Sequence, residues 1–247
     1  MTTDTAVLVA GTLAGSLVFG ISGFAFALTA SVIWLQVLPP AEVVPLAVIC
    51  PLVLNVVTLP MIRRDVSLAR LLPFAAGSTL GVPIGVLLVA RLDAGVLRLA
   101  IAALLIAYSV FALSRKHVAE IRLAGGAARI ADGGVGFVGG VLGGIAGLSA
   151  VLPSLWIALR GWPKPVQRAL LQSYGFYSQA FTVLVFAGFV GFDARTLTAL
   201  MICLPVAIAG SLVGLAVFRR LSGDAFRRVV LWIVLCGGAG LLLRGAK

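Results

Sequence analysis

Residues 20–28 read GISGFAFAL, and the Gly-x-Ser-Gly inside an apolar run places a hydroxyl, Ser22, where an intramembrane nucleophile would stand. A serine nucleophile needs a base to accept its proton, usually a histidine in hydrogen-bond reach. The chain has one histidine, His117, and it lies in a basic stretch between two apolar regions. The carboxylates, at positions 4, 42, 65, 93, 120, 132, 193 and 224, all fall at expected segment ends or in loops. A second copy of the motif, GIAGLSAVL at 144–152, has Ala146 where the first has Ser22. Serine hydrolysis by Ser22 is therefore the disfavoured alternative, and no catalytic residue is expected. Ser22 reads as a hydroxyl at a helix break or against a ligand.

The glycines offer different chemistry. Gly20, Gly23, Gly144 and Gly147 let the backbone turn and let a ligand approach it closely. A helix that resumes after such a break aims its first N–H groups and the positive end of its dipole at the gap, which suits an anion. The same glycines also suit close packing of membrane helices. Further on, Asn55 and Thr58 stand one helical turn apart, and Gln179 and Thr182 repeat them in the second half. Gln172, Ser173 and Tyr174 add polar groups and Ser149 follows the second glycine run, while Arg168 reads first as one more positive-inside residue, with attraction of an anion as the alternative. Amides and hydroxyls in membranes commonly bond neighbouring helices, but their symmetric placement points to a shared solute site. The expected substrate-binding set is Gly20, Ser22, Gly23, Asn55, Thr58, Gly144, Gly147, Ser149, Gln172, Tyr174, Gln179 and Thr182. Cys50, Cys203 and Cys236 stand singly in apolar runs, so neither a disulfide framework nor a metal is expected, and no cofactor is implied.

The elements that hold these residues follow from composition. Apolar residues make up 61% of the chain and charged ones 11%, too few to clothe a soluble domain in water. Apolar segments run over about 6–37, 43–62, 71–90, 96–113, 133–159, 169–190, 196–218 and 229–243, mostly near the ~20 residues that cross a bilayer. This is an all-α polytopic membrane protein. The net charge of +11 fits Lys and Arg gathered at cytoplasmic helix ends, rather than a nucleic-acid partner. Residues 1–6 carry Asp4 and no Lys or Arg, unlike the basic start of a cleaved signal.

The chain also repeats. An offset of 124 aligns Gly20 with Gly144, Gly23 with Gly147, Pro39 with Pro163, Asn55 with Gln179 and Thr58 with Thr182. Residues 76–81, AGSTLG, answer AGSLVG at 209–214. Each half is one overlong, Gly-broken segment followed by three ordinary ones. If both broken segments cross the membrane, basic residues divide evenly between the two sides. If both dip in and return, the loops near 63–70, 114–132, 160–168 and 219–228 gather fourteen basic residues on one side and leave five on the other. That is the positive-inside pattern, and it makes the halves inverted repeats, as in many secondary transporters. The expected units are a first repeat over 1–114, a basic cytoplasmic connector over 115–132 and a second repeat over 133–247. Each repeat is a re-entrant helix pair followed by three transmembrane helices.

Residues 139–179, GGVLGGIAGLSAVLPSLWIALRGWPKPVQRALLQSYGFYSQ, resemble the sulfite exporter TauE/SafE family. The likeness lies in the Gly-rich turn, the Pro-bearing apolar helix, the Gly-Trp-Pro-Lys loop and the Arg-Ala start of the next helix. The first half, GSLVFGISGFAFALTASVIWLQVLPP, is a looser version. The resemblance implies a permease that moves sulfite, an organosulfonate or another small organic anion across a bacterial inner membrane. The rest of the reading reaches a secondary transporter for a small anion or neutral solute, held between the two breaks near the midplane and moved by alternating access. An anion channel is the other transport alternative. The partners expected are the small anionic solute and membrane lipid, with a homodimer as an assembly the sequence allows.

Overall fold

A computed structural model describes residues 3–62, 66–114, 121, 123–218 and the isolated positions 232, 235 and 239. The expected segment 229–243 lies almost wholly outside them, as do the stretch 219–228, His117 and Cys236. The described residues form helices and no strand. They are α1 (Thr3–Ser22), α2 (Phe26–Trp34), α3 (Pro40–Ile62), α4 (Leu68–Arg91), α5 (Ala94–Ser114), α6 (Gly125–Ala146), α7 (Val151–Leu159), α8 (Lys164–Phe189) and α9 (Ala194–Phe218). Among the described residues four stretches are long and apolar enough to cross a membrane: Asp4–Ser22, Pro40–Pro60, Leu68–Arg91 and Ala194–Ala216. The chain is a helical membrane protein with several apolar helices.

Two boundaries differ from those the charges suggest. α6 begins at Gly125 and α8 at Lys164, so Asp132 and Arg168 sit inside helices and not at their ends. Asp132 is buried, which corrects the expectation that every carboxylate lies at a segment end or in a loop. The physical reason is a partner: the Trp156 indole N–H donates to Asp132 Oδ1 at 2.6 Å. Charge marks a loop only where the charged group must reach water, and this one is satisfied within the fold.

The short helices fold back on the long ones before them. Trp34 Nε1 donates to the Leu8 carbonyl at 3.0 Å, so the end of α2 lies beside the start of α1. Trp156 on α7 plays the same part through Asp132 on α6. Leu8 and Asp132 are themselves 124 positions apart, so one tryptophan on each short arm is tied to equivalent places on the two long arms. Each broken segment is therefore a hairpin that starts and finishes at one end of the bundle, unlike the single crossing that was the alternative for 6–37.

The hairpins open toward opposite ends. Asp4 and Thr5 line one cavity with Val37 and Leu38, and Arg98 at the start of α5 lies there too, donating to the Leu38 carbonyl at 3.5 Å. The second hairpin closes where the Ile121 N–H meets the Leu159 carbonyl at 2.8 Å. Nearby Arg70, at the far end of α4 from Arg91, stands 5.0 Å over the Trp162 ring. Of the described basic residues, Arg70, Arg129, Arg160, Lys164 and Arg168 belong to this second end, and Arg91, Arg98 and Arg195 to the first.

Between hairpins and helices the packing is very close. α6 lies against α4, α1 against α9, and α3 against α8. A methyl group on Gly144 would stand 2.7 Å from both the Val82 carbonyl oxygen and the Val86 nitrogen on α4. One on Gly20 would strike the Ser211 carbonyl on α9. Small residues that let backbones meet are what holds membrane helices together where lipid offers no hydrophobic drive.

Candidate functional site

Both breaks turn on a glycine in the left-handed region. Gly23 has φ 83° and Gly147 has φ 70°, conformations that any side chain would strain. At the second break the Gly147 and Leu148 N–H groups return to the Gly143 and Leu142 carbonyls at 2.8 and 3.2 Å, closing α6. At the first, the Gly23 N–H returns to the Phe19 carbonyl at 2.7 Å. Ser22 completes that turn. Its hydroxyl donates to the Val18 carbonyl at 2.8 Å and accepts from the Phe24 and Ala25 N–H groups at 3.3 and 3.1 Å. The oxygen thus bridges the end of one helix and the turn that leads into the next, the helix-break role read from the sequence.

The two breaks face different surroundings. A side chain added at Gly23 would meet the Gln172 amide nitrogen at 3.4 Å and the Arg168 Nε at 3.5 Å, both on α8. Arg168 Nη2 also donates to the Gly20 carbonyl at 3.4 Å, placing a cation on the carbonyl end of α1. Gln172 Nε2 donates to Thr58 Oγ1 at 3.2 Å, and Thr58 passes its own proton to the Leu54 carbonyl at 2.9 Å. At the second break Gly147 lies on Ala47 of α3. The residues 124 before Arg168 and Gln172 are Val44 and Val48, buried with Val82, Val86 and Phe186. The first break is polar and cationic, and the helix under the second is apolar.

Between them lies the α3–α8 seam. Asn55 Nδ2 donates to Gln179 Oε1 at 3.0 Å, both side chains buried. Asn55 is eight residues past Ala47, about 12 Å at the helical rise, and one turn before Thr58. Thus the breaks do not meet at one level. They stand at either end of a polar seam, with the amide pair between them.

Of the residues the sequence picks out, the fold brings Gly23, Thr58 and Gln172 together, joins Asn55 to Gln179, and sets Ser22 in the turn itself. Gly20 and Gly144 lie at helix–helix contacts, and Gly147 and Ser149 belong to the other break. Tyr174 spends its hydroxyl on the Gly136 carbonyl at 3.1 Å, and Thr182 on the Ser178 carbonyl at 2.7 Å. The sequence reading did not single out Ser78 and Ser178, bonded at 3.0 Å, or Thr79 and Tyr177, bonded at 2.7 Å. Both pairs join α4 to α8. Their signal was a Ser-Thr pair in the repeated 76–81 stretch and a serine next to Gln179.

At the first end of the bundle a cavity of about 480 Å³ opens among Asp4, Leu38, Glu42, Leu46, Arg195 and Thr196. Arg195 Nη1 reaches Glu42 Oε1 at 3.3 Å, an ion pair between α9 and α3. Beside it Asp193 caps α9, accepting from the Thr196 N–H at 2.8 Å. The bonds from Thr196 hold its carboxyl below the usual carboxylate range.

Glycine-broken hairpins buried against neighbouring helices, in a bundle with several membrane-length helices, define a polytopic helical membrane protein. The family model for the sulfite exporter TauE/SafE matches residues 7–241, nearly the whole chain, and the chain belongs to that family, whose members are membrane transporters. No curated protein and no solved structure matches it.

Proposed function

We propose that the chain is a secondary transporter for a small anion, sulfite or an organosulfonate, working by alternating access. The observation that carries this is the Asn55–Gln179 hydrogen bond, which joins two repeat-equivalent residues from separate halves between the breaks. Packing supports two halves related by a twofold axis through that pair. Exchanging each helix for its equivalent turns the α1–α9 contact into the α6–α4 contact, and the α4–α8 contact into the α9–α3 contact. With hairpins opening to opposite ends, the halves are inverted copies in the membrane, and the end bearing Arg70, Arg129, Arg160 and Lys164 is cytoplasmic. The anion enters at the first break, where the α2 N-terminus and Arg168 supply positive potential, and the seam is the surface on which the halves rock. The cavity by Glu42 and Arg195 is the outer vestibule, and a bacterial inner membrane is the setting.

The test is uptake of labelled sulfite, thiosulfate, sulfonates and carboxylates by proteoliposomes holding the purified protein. Saturable uptake of sulfite or a sulfonate, with no unitary current in electrical recording, is the expected result. Uptake of carboxylates alone, or channel-like conductance, contradicts it.

A further inference from the structure

The loop between α7 and α8 is built to hold one ring. Arg160 ends α7, and Gly161 turns the chain at φ 64°. The Gln167 amide then donates to the Trp162 carbonyl at 2.6 Å, so the loop is fixed before α8 begins. Two guanidiniums stand over the Trp162 ring, Arg70 at 5.0 Å and Arg160 at 5.3 Å from its centre. Arg70 belongs to α4 in the first half and the ring to the second, so this cation–π contact ties the halves together at one end.

The ring also stands beside the first break. Trp162 and Phe24, the residue after Gly23, pack on one buried cluster that holds Phe74, Ile157 and Tyr174. Arg168 and Gln172, which line the break, follow one and two turns into α8. The equivalent place at the other end is built differently. The residue 124 before Trp162 is Leu38, and it borders the cavity of about 480 Å³. An aliphatic side chain therefore lines one mouth, and an indole under two cations stands at the other.

Resting on the alternating-access reading above, we infer that Trp162 is the cytoplasmic gate over the first break and that Arg70 is its latch. Rocking the halves moves α4 against the loop that carries the ring and draws Arg70 off it. The indole then leaves the cluster, and the break meets the cytoplasm. Arg160 comes from the ring's own half and moves with it, so only the Arg70 contact has to break. The described state is closed at the Trp162 end and open at the Leu38 end.

The experiment places one cysteine behind the ring, Phe24→Cys with Cys50, Cys203 and Cys236 replaced by serine, in inside-out membrane vesicles. An impermeant maleimide added to the cytoplasmic face should label it slowly while Trp162 is present. A closed gate leaves its open form ~0.1–10% populated, so adding Trp162→Ala should speed labelling roughly tenfold or more. Arg70→Gln removes only the cation–π contact and should speed it roughly two- to tenfold. Trp162→Phe keeps a ring for Arg70 and should stay within about threefold of the parent. An unchanged rate in folded Trp162→Ala, or a parent that labels as fast as unfolded protein, overturns the gate. Where Trp162→Ala does not fold, Arg70→Gln carries the test, and an unchanged rate there overturns the inference. Labelling needs no solute, so these outcomes leave anion transport standing. Absence of saturable uptake of sulfite or a sulfonate by the wild-type protein overturns the transport reading instead.

Discussion

Asn55 and Gln179, 124 positions apart in the chain, share a hydrogen bond of 3.0 Å in the buried seam between α3 and α8. Asn55→Leu leaves Gln179 Oε1 unpaired and should cost about 1–3 kcal/mol of stability, as should Gln179→Leu for the opposite group. The double variant should cost less than the two singles added, since both polar groups are then gone. Each single should also weaken anion binding, roughly 5- to 150-fold, if the proposed solute path runs along the seam. Melting curves and calorimetry on the three variants check this. Lower melting with unchanged affinity would reduce the pair to a helix bridge.

Ser22→Ala removes the acceptor for the Phe24 and Ala25 N–H groups at the first break. The expected cost is about 1 kcal/mol in stability, the usual net worth of a hydrogen bond, with affinity lowered no more than roughly tenfold. Thermal melting and uptake rates on the same preparation measure both. A well-folded Ser22→Ala protein with no activity at all would restore the nucleophile reading.

Glycines within one helix should behave differently. A methyl at Gly144 has 2.7 Å to two backbone atoms of α4, whereas one at Gly134 has nothing within 4 Å. Gly144→Ala should therefore destabilise by about 1–3 kcal/mol through forced separation of α4 and α6. Gly134→Ala should be neutral or gain about 0.5–1 kcal/mol of helix propensity. Comparable melting temperatures for the two variants would contradict the packing described.

Much of the candidate site was legible because the repeat is marked by residue types with specific structural demands. Gly23 and Gly147 must keep positive φ, and an amide followed three residues later by threonine survives in both halves. The offset alone therefore selected the two side chains that bond each other. What it could not give was depth. Spacing does not say how far a hairpin reaches, so the sequence placed the solute between the two tips without showing that the tips stand at either end of the seam. Nor could symmetry show that Arg168 and Gln172 line one break while Val44 and Val48 are their counterparts at the other. Asp132 was read as loop because its partner, Trp156, is 24 residues away in sequence.

Acid should loosen the cap on α9. Asp193 is held below its ordinary pKa by the Thr196 bonds, so its contribution is complete above the unfolded value near ~3.9 and is lost as pH falls through the lower folded value. Wild-type melting temperature should thus show no change from this group between pH 5 and 8 (roughly), then a decline below about pH 4. Asp193→Ala should melt lower at neutral pH and show a smaller acid decline. An identical acid decline in both proteins would contradict the capping role.

The claim that two oppositely inserted hairpins frame one solute path is tested most directly by side-specific thiol labelling. Single cysteines at Thr5, Val37, Ser67 and Gly161, in a background with Cys50, Cys203 and Cys236 replaced, would meet an impermeant reagent on intact cells. Thr5→Cys and Val37→Cys should label from outside, whereas Ser67→Cys and Gly161→Cys should label only after permeabilisation. Thr5→Cys and Val37→Cys reacting from opposite sides, or Val37→Cys and Gly161→Cys from the same side, would contradict the account.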